Sequence, residues 1–118
     1  MLKTIMVVDD EEDNRSSIRT ILESNGFKVV TANDGDDCLK KLKKVKPALI
    51  LMDIMMPGTP VSVVVKEIVD IPIAYLTVVR GADDQVDALM KVHNVVDFIQ
   101  KPFDVTKFVK RIKKLVSD

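Results

Sequence analysis

The sequence predicts an α/β protein: a doubly wound, five-stranded parallel sheet with helices on both faces. Two observations carry this. Short apolar runs alternate five times with helical patterns along the chain. Several of the runs are continuously apolar rather than alternating, as strands buried on both faces are, and the first and third stop at acids.

Ile5-Met6-Val7-Val8 is the first strand and ends at Asp9-Asp10. Residues 14–24 then place Ile18, Ile21 and Leu22 on one helical face, closed by the stop signal Asn25-Gly26. Phe27 to Ala32 is the second strand, and Asn33-Asp34-Gly35 a turn or cap. Leu39, Leu42 and Val45 carry the next helix to Pro47, and Ala48 to Met52 form the third strand, ending at Asp53. Beyond Met55-Met56-Pro57-Gly58, Thr59-Pro60 reads as an N-cap with proline at the first helical position. Val63, Val64 and Val65 favour a strand, whereas Val61, Val64, Val65 and Ile68 form a helical stripe; the alternating context decides for helix. Ile71 to Thr77 is the fourth strand, residues 83–92 a helix with Asn94 as its left-handed stop, and Val95 to Gln100 the fifth strand. Asp104 caps a last helix whose face is Val105, Phe108, Val109, Ile112, Leu115 and Val116.

Composition removes whole classes of function. The 118 residues fit one domain spanning 1–118, with no repeat, linker or low-complexity tract to divide it. One cysteine, Cys38, excludes a scaffold built on internal disulfides. No apolar run reaches the roughly 18–20 residues of a membrane span, and the first residues turn acidic too early for a signal peptide, so a cytoplasmic protein off the membrane is expected. Lys+Arg and Asp+Glu balance at 18 each, with no Trp and one Tyr, which argues against direct nucleic-acid binding. Charge is nonetheless uneven: residues 9–13 are five consecutive acids, Lys40 to Lys46 form a basic cluster, and residues 101–118 hold six Lys/Arg against two Asp.

Parallel sheets place their chemistry at the carboxyl ends of the strands. That rule gathers Asp9 and Asp10 after strand one, Asp53 after strand three, Thr77 at the end of strand four and Lys101 after strand five. Crowded carboxylates repel, a cost offset by a cation, and an all-oxygen site suits Mg²⁺. Lys101 would add a point charge on a phosphate oxygen and Thr77 a hydrogen bond. Asp53, the lone acid, is the carboxylate most open to act as nucleophile toward phosphorus.

Each residue taken alone also has a plain structural reading. Asp9 or Asp10 could cap a helix, Thr77 end a strand, and Lys101 stand as a solvated charge. Cys38 reads as a small core residue and His93, without a Cys or His partner, as no metal ligand. Met52, Met55 and Met56 read as packing and the Lys40–Lys46 cluster as a wet helix face. Convergence on one sheet edge is what makes the strand-end residues informative.

Four segments taken in order, VVDDEEDNR at 7–15, LILMDIMMPG at 49–58, IPIAYLT at 71–77 and DFIQKPF at 97–103, resemble a response-regulator receiver domain, the phospho-acceptor module of two-component signalling. The resemblance is to a chemotaxis-regulator-like receiver and covers essentially the whole chain. It implies a flavodoxin-like (βα)5 fold with strand order 2-1-3-4-5. It implies phosphorylation at Asp53, and Mg²⁺ held by Asp9, Asp10, Asp53 and the Met55 backbone carbonyl. Thr77 matches the switch hydroxyl, Lys101 its paired lysine, Phe98 the switch aromatic, and Pro102 a proline preceded by a cis bond. The implied partners are a histidine kinase or phosphotransfer protein and a downstream protein bound through the fourth helix, fifth strand and fifth helix.

Four features differ from the family's usual pattern. Residues 58–61 read Gly-Thr-Pro-Val where a second glycine is usual, Val78 follows Thr77 where a small residue is common, His93-Asn94 replaces a glycine turn in a slightly longer segment, and Phe98 lacks a hydroxyl. Met55 and Val79 stand where polar side chains orient the hydrolytic water in fast members, which implies a long-lived phosphoryl group. Two other classes compete: a Mg²⁺-dependent phosphohydrolase, whose usual Asp-x-Asp fails at Met55, and a non-phosphorylated interaction module, which usually lacks one key group. The chain closes on its last helix, so it is expected to be a stand-alone receiver or one cut from a longer chain, a signalling phospho-acceptor rather than an enzyme.

Overall fold

The computed structural model describes residues 2–78 and 84–117, with 84–86 described by backbone alone. Its elements run β1 (Thr4–Val8), α1 (Glu12–Glu23), β2 (Lys28–Ala32), α2 (Gly35–Leu42), β3 (Leu49–Met52), α3 (Val61–Glu67), β4 (Ile73–Thr77), α4 (Asp84–Met90), β5 (Val95–Gln100) and α5 (Val105–Leu115). All strand pairs are parallel, in the order β2-β1-β3-β4-β5. β3 is apolar along its whole length, and β1 and β4 are apolar apart from Thr4 and Thr77 at their ends, because both faces of the sheet's centre are covered.

Alternate residues of each strand enter different cores. Ile5, Val7, Leu49, Leu51, Ala74, Leu76 and Ile99 meet Ile18 and Leu22 of α1 and Phe108, Val109 and Ile112 of α5. Met6, Val8, Ile50, Met52, Ile73 and Tyr75 meet Cys38 of α2, Val61, Val64 and Val65 of α3, and Leu89 of α4. That second core settles the ambiguous valine run. Val61, Val64 and Val65 bury a helical stripe, and burial of that stripe outweighs the strand propensity of β-branched residues.

Element ends show the local chemistry, and some differ from expectation. Asp34 and Asp104 cap α2 and α5, accepting from the Asp37 and Lys107 amides respectively. Gly26 takes φ +91 after α1. The first helix starts earlier than the periodicity predicts, at Glu12, and the second ends at Leu42, short of Pro47. Pro60, not Thr59, is the N-cap of α3, with extended φ −55 and ψ 141. The Thr59 hydroxyl is turned instead toward Asp36 of α2.

Asn94 also departs from expectation. Asp70, with φ 66, is the only non-glycine residue of positive φ among the described residues, so Asn94 is not a left-handed stop. Its buried amide donates to the Ile68 and Ile71 carbonyls at 3.1 and 2.8 Å, stitching the turn before β5 to the one before β4. Val79 and the expected first residue of the fourth helix, 83, lie outside the described residues. Among the described residues, no helix is long and apolar enough to cross a membrane.

Candidate functional site

The hydrogen-bond ladders run past the strands into the acids themselves. The Asp9 amide donates to the Ala32 carbonyl at 3.2 Å, and the Asp53 amide to the Val8 carbonyl at 3.0 Å. On the other side of the sheet's centre, the Lys101 amide donates to the Thr77 carbonyl at 2.8 Å. Sheet register therefore fixes Asp9, Asp53, Thr77 and Lys101 along one edge before any side chain makes a contact.

Asp9 is 2% and Asp53 8% exposed, so both carboxylates have lost most of their water. Buried charges persist only when paired. Lys101 does the pairing: its Nζ donates to Asp9 Oδ2 at 2.8 Å and to Asp53 Oδ2 at 3.3 Å. Burial alone would lower the Lys101 pKa, but the Asp9 hydrogen bond and the two negative charges outweigh it and raise the value. The remaining oxygens take backbone donors, the Glu11 amide on Asp9 Oδ1 and the Met55 amide on Asp53 Oδ1, each at 2.9 Å. The N-cap of α1 is Glu11, so neither Asp9 nor Asp10 caps the helix; Asp9 only holds the turn that leads into it.

Asp10 is solvent-exposed and completes the group. Asp9, Asp10 and Asp53 each offer an oxygen, all within 4.8 Å of one another. Three carboxylates against one ammonium leave two negative charges uncompensated, a donor set that fits a hard divalent cation with oxygen ligands. Among the described residues this is the only such grouping.

Thr77 is fully buried at the end of β4. The Lys101-Pro102 peptide is cis. Met55 is tied to Asp53 through its backbone while the residue as a whole is 60% exposed, and Val78 stands 59% exposed just past Thr77. Phe98 pairs with Tyr75 across the ladder and packs, half-buried, against the core that holds Leu89 of α4. Cys38 is fully buried beside Met6, and burial, then the charge of Asp37, pushes its thiol up to about 12, so it is an inert core residue.

Two contacts escaped the sequence reading. Arg15 Nη1 donates to the Asp9 carbonyl at 2.6 Å, fixing the backbone that carries the carboxylate; a cation one helical turn inside α1 was the available signal. Arg111 of α5 grips the Asp97 carboxylate with two nitrogens and donates to the Phe98 carbonyl, and the Asp97 hydrogen bond raises its pKa against the effect of burial. The strand that carries the aromatic is thereby joined to α5.

Comparisons with known proteins agree with this geometry. A family model, the response regulator receiver domain, matches residues 5–113. The chain is 34% identical over 121 residues to the alkaline phosphatase synthesis transcriptional regulatory protein PhoP of Bacillus subtilis, covering 98% of this chain and 49% of that one. It is 35% identical over 122 residues to the phosphate regulon transcriptional regulatory protein PhoB of Escherichia coli, covering 98% and 52%. The chain thus spans about half the length of these curated relatives. The chemotaxis protein CheY4 of Vibrio cholerae has the same fold, with a TM-score of 0.87 at 24% identity over 98% of this chain and 99% of that one.

Proposed function

Because the chain belongs to the response regulator receiver domains of two-component signalling, we propose that Asp53 is its phosphoryl acceptor, with a histidine kinase or phosphotransfer protein as donor. The observation that carries this is Lys101 bridging Asp9 and Asp53, with the exposed Asp10 close enough to share a cation. Receiver domains bind Mg²⁺ at an acidic pocket, and here Asp9, Asp10, Asp53 and the Met55 carbonyl would hold it. Bound there, it would supply positive charge against the phosphoryl oxygens.

The chain's own groups do the rest. An Asp53 carboxylate oxygen attacks phosphorus in line, the bond to the donor's nitrogen or oxygen breaks, and the leaving group keeps the electron pair. Lys101 Nζ already sits at Asp53 Oδ2, where a phosphoryl oxygen would arrive, so its charge needs little reorganisation. Thr77, next on the same edge, would donate its hydroxyl to another phosphoryl oxygen. Its movement, with that of Phe98, would shift the face of α4, β5 and α5 between pre-existing states for a downstream protein. The cations of residues 101–118 would favour an acidic patch on that partner; Lys101 belongs to the site and Arg111 is engaged with Asp97, leaving Lys107, Lys110, Lys113 and Lys114 to contribute.

Intact mass after incubation with acetyl phosphate tests the reading. One added phosphoryl unit, dependent on Mg²⁺ and absent from Asp53→Asn, is expected. Full labelling of the variant, or no labelling of the unmodified protein, contradicts it.

A further inference from the structure

The segment joining Asp53 to α3 is fastened at both ends. At its start the Met55 amide is held on Asp53 Oδ1. At its far end Thr59 Oγ1 lies 2.9 and 3.0 Å from the two carboxylate oxygens of Asp36, in the first turn of α2. Between them Pro57 restricts the backbone, and Gly58 turns it at φ +90, a conformation that favours glycine. A Cβ on Gly58 would stand 3.9 Å from Asp36 Oδ2, so the turn passes directly beside that carboxylate.

Asp36 is itself presented from a fixed place. Its neighbour Gly35 is buried against α3 so closely that a Cβ there would come 2.5 Å from Val64 Cγ2. The backbone at the start of α2 therefore seats directly on the Val64 side chain of α3. The Gly58-Thr59-Pro60-Val61 sequence that departs from the family's second glycine has a physical use here: it supplies a hydroxyl where the segment meets α2.

We propose that Asp36 and Thr59 are positioning residues, a clasp that sets the β3–α3 segment and through it the Met55 backbone against Asp53. The inference rests on the reading of Asp53 as acceptor and of the Met55 carbonyl as a cation ligand. Neither clasp residue touches a reacting atom. With the hydroxyl gone, the segment keeps its Met55 anchor and the packing of Ile54 and Met56 against the second core but loses its tie to α2, and the carbonyl offered to the cation is held less firmly.

The test combines two readouts on Thr59→Val, Thr59→Ser, Asp36→Asn, Asp36→Ala and the pair Thr59→Val/Asp36→Ala. Amide shifts of Asp53 and Met55 are followed through a Mg²⁺ titration, and amide hydrogen exchange of Met55, Met56 and Gly58 is measured without metal. Losing one exposed hydrogen bond should weaken Mg²⁺ binding in Thr59→Val by about three- to tenfold and speed exchange by a similar factor. Serine, which keeps the hydroxyl, and asparagine, which keeps an acceptor oxygen, should stay near the unmodified protein. In the Asp36→Ala background Thr59→Val should add nothing. Unchanged affinity and exchange in Thr59→Val, failure of serine to rescue, or additive effects in the pair would overturn the clasp. If the unmodified protein takes up no Mg²⁺, the acceptor reading falls, while exchange measured without metal still decides the clasp.

Discussion

Replacing Asp10 with asparagine should move stability in opposite directions with and without Mg²⁺. The side chain keeps its shape and loses its charge. Asp10 has an oxygen within 4.8 Å of one on Asp9 and one on Asp53. Two like charges about 5 Å apart repel by about 0.8 kcal/mol at the dielectric of water and about 3 kcal/mol at an effective value near 20. Asp10 is exposed, so the lower figure applies, and its attraction to Lys101 offsets one of the two repulsions. The metal-free variant should therefore be more stable by about 1 kcal/mol, which in a domain of this size raises Tm by about 3–5 °C. With Mg²⁺ at about a hundred times its Kd, the unmodified protein gains about 2.7 kcal/mol, and each tenfold loss of affinity removes about 1.4 kcal/mol of that gain. Thermal melts in EDTA and in excess Mg²⁺ should thus show the two proteins exchanging order. A variant that melts lower in EDTA and gains as much from Mg²⁺ as the unmodified protein would refute the three-carboxylate site.

Three further outcomes are expected. Asn94→Ala leaves the Ile68 and Ile71 carbonyls without their amide donor and should cost about 1–3 kcal/mol in urea unfolding, while phosphate incorporation at 25 °C is retained. Burial pushes the Cys38 thiol from 9.0 up to about 12, so the unfolded chain ionises first; this part of the stability is complete below pH 9 and lost as pH climbs toward 12, and the decline measured by unfolding at each pH should flatten over that window in Cys38→Ala. Met55→Asn places a polar group at the edge of the site and should speed phosphate loss about tenfold, read by following phosphorylated protein in excess Mg²⁺; an unmodified protein that decays within seconds would contradict the expected long-lived phosphoryl group.

Much of the fold and most of the site were legible because they are written locally. An apolar run that stops at an acid marks both a strand and its functional end in the first and third strands, and those ends meet the ends of the fourth and fifth whatever the loops do. Alternation of elements resolved the Val63–Val65 segment, where propensity pointed the other way. What stayed hidden depends on partners distant in sequence. Asn94 bonds carbonyls 26 and 23 residues away, and the Thr59 hydroxyl meets a carboxylate 23 residues away, so both look locally like ordinary turn and cap residues. Arg15 reads as one charge on a wet helix until β1 brings the Asp9 carbonyl beneath it.

The central claim is that the acceptor is Asp53, and locating the modification tests it most directly. An acyl phosphate on an aspartate is reduced by borohydride to homoserine, which peptide mass mapping places on a single residue. After acetyl phosphate and Mg²⁺, homoserine is expected at position 53 alone, and nowhere when EDTA is present. Homoserine at position 9 or 10, or equal modification in EDTA, would contradict the account.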